Sequence, residues 1–186
     1  MKNKVLIIGV GNVMYGDDAF GVLFTEALKQ CTNKELDVLS AGKNLFYIAS
    51  MLNMYNKVIF VDILGNEFGK EGQVVVLKIN PGVLSEEEIA LLFSRETFPH
   101  TPTPAHVVAL AYASKSFSGE GWIVGVVSEN RNFVSKISDN VINAVPEVCQ
   151  NISEILSPHL NSPLDCRCVS EVFEKVLEQH YRELGL

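Results

Sequence analysis

In the run Val58-Ile59-Phe60-Val61 the apolar residues occupy consecutive positions. Successive side chains of a strand point to opposite faces, so such a strand needs cover on both sides. That is the situation of a parallel sheet lying between layers of helix. Residues 5–10 form a second β-rich run, and 36–39, 74–79 and 122–127 supply three more. Helical patterns separate them. Residues 18–30 carry Phe20, Val22, Leu23, Ala27 and Leu28 at helical spacing, and further helices are expected over 44–54, about 104–114, 138–156 and 169–184. Ser85 followed by Glu88 reads as a capping box opening one more. Alternating strands and helices imply right-handed crossovers. The expected fold is therefore an α/β three-layer α/β/α sandwich, with a mostly parallel central sheet of about five strands. Residues 74–79 follow their neighbour through only a short polar link and are the candidate antiparallel strand.

A chain of 186 residues suits one domain with a full core. The sandwich is expected over 1–156, with a linker containing Pro158 and Pro163 leading to an appended C-terminal helix. Val172, Phe173, Val176, Leu177 and Tyr181 of that helix are patterned to dock on the body. The net charge is −7 with scattered lysines and arginines, which argues against a nucleic-acid grip. The N-terminal apolar run breaks at Gly9-Val10-Gly11-Asn12 and meets Asp17-Asp18 where a signal peptide would need its cleavage site. It is also too short to span a membrane. The expectation is a cytoplasmic chain with no membrane partner, monomeric by default. Cys31, Cys149, Cys166 and Cys168 form no dense framework and are expected to be reduced; the Cys-x-Cys pair is either a metal or redox site or incidental.

In open α/β sheets ligands bind outside the carboxyl ends of the strands, which places the loop from Gly9 to Asp18 where function is expected. As a dinucleotide fingerprint it fails. Met14 stands at the third glycine, Asp17 and Asp18 put negative charge where a pyrophosphate would lie, and Ser40 replaces the ribose-binding acid. Helix capping could account for the two aspartates. Asp62, however, stands at the end of the third strand, on the same sheet edge as the first loop. Two carboxylates converging there share a proton or bind a cation. The proline-rich stretch from Phe98 to His106 can hold an imidazole over that edge, giving an Asp/Asp/His set with open positions. His100 and His106 are the candidates. Neither an H-E-x-x-H zinc helix nor a G-x-S-x-G elbow is present.

Gly9-Val10-Gly11-Asn12, then Asp17-Asp18-Ala19-Phe20-Gly21-Val22, resembles the signature of the hydrogenase maturation endopeptidases. Val61-Asp62-Ile63, a loop histidine before a helix, Trp122-Ile123-Val124-Gly125-Val126 and the helix at 138–156 follow in the family's order. The resemblance covers about residues 5–156. It implies an α/β/α endopeptidase with no metal of its own at rest. Such an enzyme recognises nickel already inserted in a nickel–iron hydrogenase large-subunit precursor and removes a short C-terminal extension. The implied metal-contacting and catalytic set is Asp18, Asp62 and His100, with His106 a competitor and Asp17 a secondary candidate that caps the helix. Asn12 and Gly42 fall at the implied substrate groove. Ala41-Gly42-Lys43 departs from the glycine pair and threonine of many relatives, which bears on target choice. A non-catalytic chaperone that checks the precursor for nickel would use the same residues.

Overall fold

The computed structural model describes residues 4–32, 36–42, 45–80, 103–157 and 162–186. Five strands form one sheet: β1 (Val5–Val10), β2 (Asp37–Gly42), β3 (Lys57–Leu64), β4 (Val74–Ile79) and β5 (Glu120–Val127), in the order β2-β1-β3-β5-β4. All neighbours are parallel except β4, which runs antiparallel to β5. The sandwich and the antiparallel edge strand expected from the sequence are both present. The capping box at Ser85 and Glu88 lies outside the described residues.

Consecutive apolar residues feed two cores. From β1 and β3, Val5, Ile7, Ile59 and Val61 face one layer, while Leu6, Ile8, Val58 and Phe60 face the other. The first layer contains α1 (Phe20–Cys31), α5 (Val145–Leu156) and α6 (Cys166–Leu184). The second contains α2 (Phe46–Met51) and α3 (Pro104–Ala113). The helix expected over 138–156 is two helices. Pro146 has no N–H to give the carbonyl of Ile142, so α4 (Asp139–Asn143) ends and α5 begins.

The C-terminal helix is part of the first core. Val169, Phe173 and Leu177 are buried, and the Phe173 ring lies 5.8 Å from that of Phe20. It begins three residues earlier than its apolar pattern, because Asp165 caps it by accepting from the Cys168 N–H at 3.0 Å.

The cysteines correct the sequence expectation. They form two disulfides, Cys31–Cys168 and Cys149–Cys166, which tie the first turn of α6 to the end of α1 and to α5. The pairing joins residues 137 apart in one bridge and 17 apart in the other, so spacing alone gave no framework. In the chain-entropy model closures of these lengths contribute about 3–5 kcal/mol each. Adding a thiol reductant should lower the thermal midpoint by roughly 15–30 °C. An unchanged midpoint with fully reduced cysteines, counted by thiol labelling, would show that packing alone holds α6.

Candidate functional site

Two glycines bring the first loop to the sheet edge. Gly21, in the first turn of α1, sits against the backbone carbonyls of Val10 and Val61, where any Cβ would collide with both. The helix start is thereby pressed over the ends of β1 and β3. Gly11 has φ +126° and lies against the carbonyl of Asp18, a conformation and an approach open only to glycine. The loop closes where the Asn12 N–H donates to both the carbonyl (3.0 Å) and Oδ2 (2.9 Å) of Asp18. Asn12 Oδ1 accepts from the Met14 N–H at 3.1 Å, so this side chain shapes the loop. Gly42, at φ +56°, accepts from the Gly11 N–H at 3.2 Å, which places the end of β2 beside the same loop.

Asp62 lies inside β3, which continues to Leu64 through its pairing with β5. It shares a face with Phe60 and Leu64, and its Oδ1 accepts from the Ile63 N–H at 2.8 Å. Among the described residues, the second oxygen of Asp62 and the second oxygen of Asp18 have no hydrogen-bond partner, and both remain reachable by solvent. Burial pushes the Asp62 carboxyl up to about 7; the Ile63 N–H opposes this, the charge of Asp18 adds to it, and Arg131 opposes it. The charge of Asp18 thus reaches Asp62 across the sheet edge.

Asp17 does not cap a helix. Residues Gly16–Ala19 form a 3-10 turn with no side-chain cap. The Asp17 side chain is fully buried and accepts from Ser128 Oγ (2.5 Å), Ser138 N (2.6 Å), Ser138 Oγ (2.8 Å) and Asn130 Nδ2 (3.3 Å). It anchors the loop that follows β5, with no oxygen left for a ligand. His106 caps α3: its Nδ1 lies 2.6 Å from Thr103 Oγ1 and accepts from the Thr103 N–H at 3.2 Å. His100 lies outside the described residues. Among the described residues, no group of three or more His, Cys, Asp or Glu could hold a metal ion.

A cleft of about 570 Å³ opens beside Asp62. Leu64, Leu77, Ile79 and Ile123 give it apolar walls, the start of α3 closes one side, and Arg131 also lines it. Sequence reasoning passed over Arg131 and its neighbours. The polar string Ser128-Glu129-Asn130-Arg131-Asn132 directly after a β-strand was the available signal, since it too leaves a strand at its carboxyl end.

A buried carboxyl near the end of a parallel strand, lining a cleft of this size and reached by the charge of a second acid, defines an α/β protein whose site can exchange a proton with water. Comparison with known proteins narrows the class. No family model matches the chain. It is 25% identical over 129 residues to the hydrogenase 2 maturation protease of Escherichia coli (strain K12), spanning 68% of this chain and 74% of that one. A solved hydrogenase 2 maturation peptidase from a Thaumarchaeota archaeon is 25% identical, with a TM-score of 0.60 over 84% of this chain and 97% of that one. The hydrogenase maturating endopeptidase of E. coli shares the fold, with a TM-score of 0.63 at 21% identity over 83% of this chain and 93% of that one. The chain is thus similar to the hydrogenase maturation endopeptidases in sequence and in fold, the family its first loop resembles. No helix among the described residues is long and apolar enough to cross a membrane.

Proposed function

We propose that this chain is a peptide-bond hydrolase that removes the C-terminal extension of a nickel–iron hydrogenase large-subunit precursor, in the cytoplasm and after nickel has entered the precursor. The observation that carries the reading is Asp62, which lines a peptide-sized cleft, feels the charge of Asp18 and, like Asp18, has one carboxylate oxygen with no hydrogen-bond partner among the described residues. Its context is a chain similar to maturation proteases along most of its length.

Nickel belongs to the substrate in this scheme. Carboxylate oxygens suit a divalent ion presented by the precursor, with His100 as the proposed third donor. The metal then reports that the precursor is loaded, and only a loaded precursor docks with its scissile bond in place. In the alternative arrangement, where the metal only positions the chain and Asp62 is off it, Asp62 supplies the proton chemistry. A carboxyl poised near neutrality can take a proton from an attacking water and return it to the departing amine. Asp18, next to it in charge, keeps that proton affinity high. The protein acts as a monomer on one precursor at a time.

The test is to mix the purified protein with nickel-loaded precursor and follow intact mass, with metal-free precursor and Asp18→Asn as controls. Loss of a C-terminal fragment only from loaded precursor and only with the unmutated protein is the expected result. Nickel-dependent binding without cutting would make the protein a chaperone that checks the metal. Neither cutting nor binding would remove the hydrogenase precursor as its target.

A further inference from the structure

Arg131 is exposed, lines the cleft beside Asp62, and makes no ion pair within 4.0 Å among the described residues. The other cation on the cleft is already engaged: Lys78 Nζ lies 2.7 Å from Glu120 and 5.0 Å from the centre of the Trp122 ring. Glu67 also borders the cleft, but it is Arg131 whose charge reaches Asp62. A positive charge with no ion-pair partner among the described residues therefore stands beside Asp62, in a trough whose apolar walls also carry Glu67 and the engaged Lys78.

The loop that carries Arg131 is built to stay in place. Its base is clamped by the buried Asp17 through Ser128, Asn130 and Ser138. Farther along, Phe133 bridges to Tyr15 of the first loop, their rings edge to face at 5.3 Å, and the Val134 N–H donates to the Met14 carbonyl at 2.8 Å. Val134 holds φ +46°, a conformation β-branched residues rarely adopt. Strain of this kind persists where the surroundings over-determine the backbone. The buried Asp17 carboxylate, one residue before Asp18, thus also holds the loop that carries Arg131.

We propose that Arg131 and the apolar cleft form the subsite for the substrate segment adjoining the scissile bond. An apolar side chain sits between Leu64, Leu77, Ile79 and Ile123, and an acidic side chain beside it pairs with the Arg131 guanidinium. This rests on the peptidase reading for its reaction but not for its binding chemistry. An apolar side chain matches the trough's walls and an acidic one matches its single unpaired cation among the described residues, whereas a basic one would set its charge against Arg131.

The binding test uses short, end-capped synthetic peptides and protein NMR on the full chain. A Leu-Glu peptide should shift the signals of Ile79, Ile123 and Arg131, while Leu-Gln, Ala-Glu and Leu-Lys versions should bind about three- to tenfold more weakly. A peptide whose only carboxylate is its C-terminus should bind no better than Leu-Gln. Arg131→Glu should reverse the preference from Leu-Glu to Leu-Lys. Equal binding of all peptides, or shifts confined to other surfaces, would overturn the proposal. In the cleavage assay, Arg131→Gln should raise KM for the precursor more than it lowers kcat. A changed pH midpoint with unchanged KM would mean that Arg131 acts only on Asp62, which also overturns it. If the unmutated protein binds Leu-Glu peptides at this cleft yet cuts no precursor, the peptidase reading fails and the subsite stands.

Discussion

Replacing Asp62 with asparagine should lower precursor cleavage by about 10²–10⁴-fold, the usual contribution of a positioned acid–base group, while making the folded protein more stable at pH 8. The two effects share one cause. The carboxyl holds its proton up to about 7 in the folded protein, against 3.8 for a free aspartate. The folded state therefore binds this proton more tightly than the unfolded chain does. The stability that follows is fully present below about pH 4 and is lost as the pH rises through about 7. Above that, the ionised carboxylate costs on the order of 2–4 kcal/mol, which asparagine avoids. Thermal melts should show the variant ahead of the unmutated protein at pH 8 and level with it at pH 3. Where the metal only positions the chain and leaves Asp62 free, activity should climb with pH around 7, as the base form appears. NMR titration of Asp62 can follow the same group directly: Asp18→Asn should lower its midpoint and Arg131→Gln should raise it. A midpoint near 4 in the unmutated protein would end both the assignment of Asp62 as the proton carrier and the stability argument.

Asp17→Ala should cost about 3–5 kcal/mol, as much as emptying a large core position. Its fully buried carboxylate accepts from two hydroxyls, one side-chain amide and one backbone N–H, of which the Ser128 hydroxyl is buried and the others half-buried. Alanine takes the acceptor from the Ser128 and Ser138 hydroxyls and the Ser138 N–H, while Asn130 keeps the Lys136 carbonyl, and an unpaired buried group carries the full desolvation cost. Asparagine should be milder, about 1–2 kcal/mol, because serine hydroxyls can turn to accept from its amide. Chemical denaturation of the two variants checks the order. Equal losses would mean that shape, rather than hydrogen bonding, is what Asp17 supplies. Because the 128–138 segment hangs on this residue, Asp17→Ala should also weaken cleavage, although Asp17 itself has no oxygen free for substrate.

Much of the site could be read from residue order. Gly11, Asp18 and Asp62 declared themselves because glycine at a tight approach and acids at strand ends have few other uses in this architecture. The roles of Asp17 and His106 could not be read so well. Both types suit capping and ligation, and only the neighbours choose between them: Ser128 and Ser138 reach Asp17 from more than 100 residues away, while Thr103 takes His106 locally. Arg131 had no pattern of its own. Its position depends on a loop path set by the Tyr15–Phe133 bridge and the buried aspartate. The disulfides were hidden for the same reason, since one of them joins residues 137 apart.

By itself the sequence determined the alternation of strands and helices, the two-sided cover of the sheet, and the edge at which the acids gather. These follow from local periodicity and from the rule that open α/β sheets bind at their carboxyl ends. Only the tertiary structure decided which aspartate is buried as an anchor and which faces the cleft. It also decided where a free arginine stands and which cysteines meet. Those outcomes depend on distances between residues far apart in the chain, and burial and charge act through space, not along the sequence.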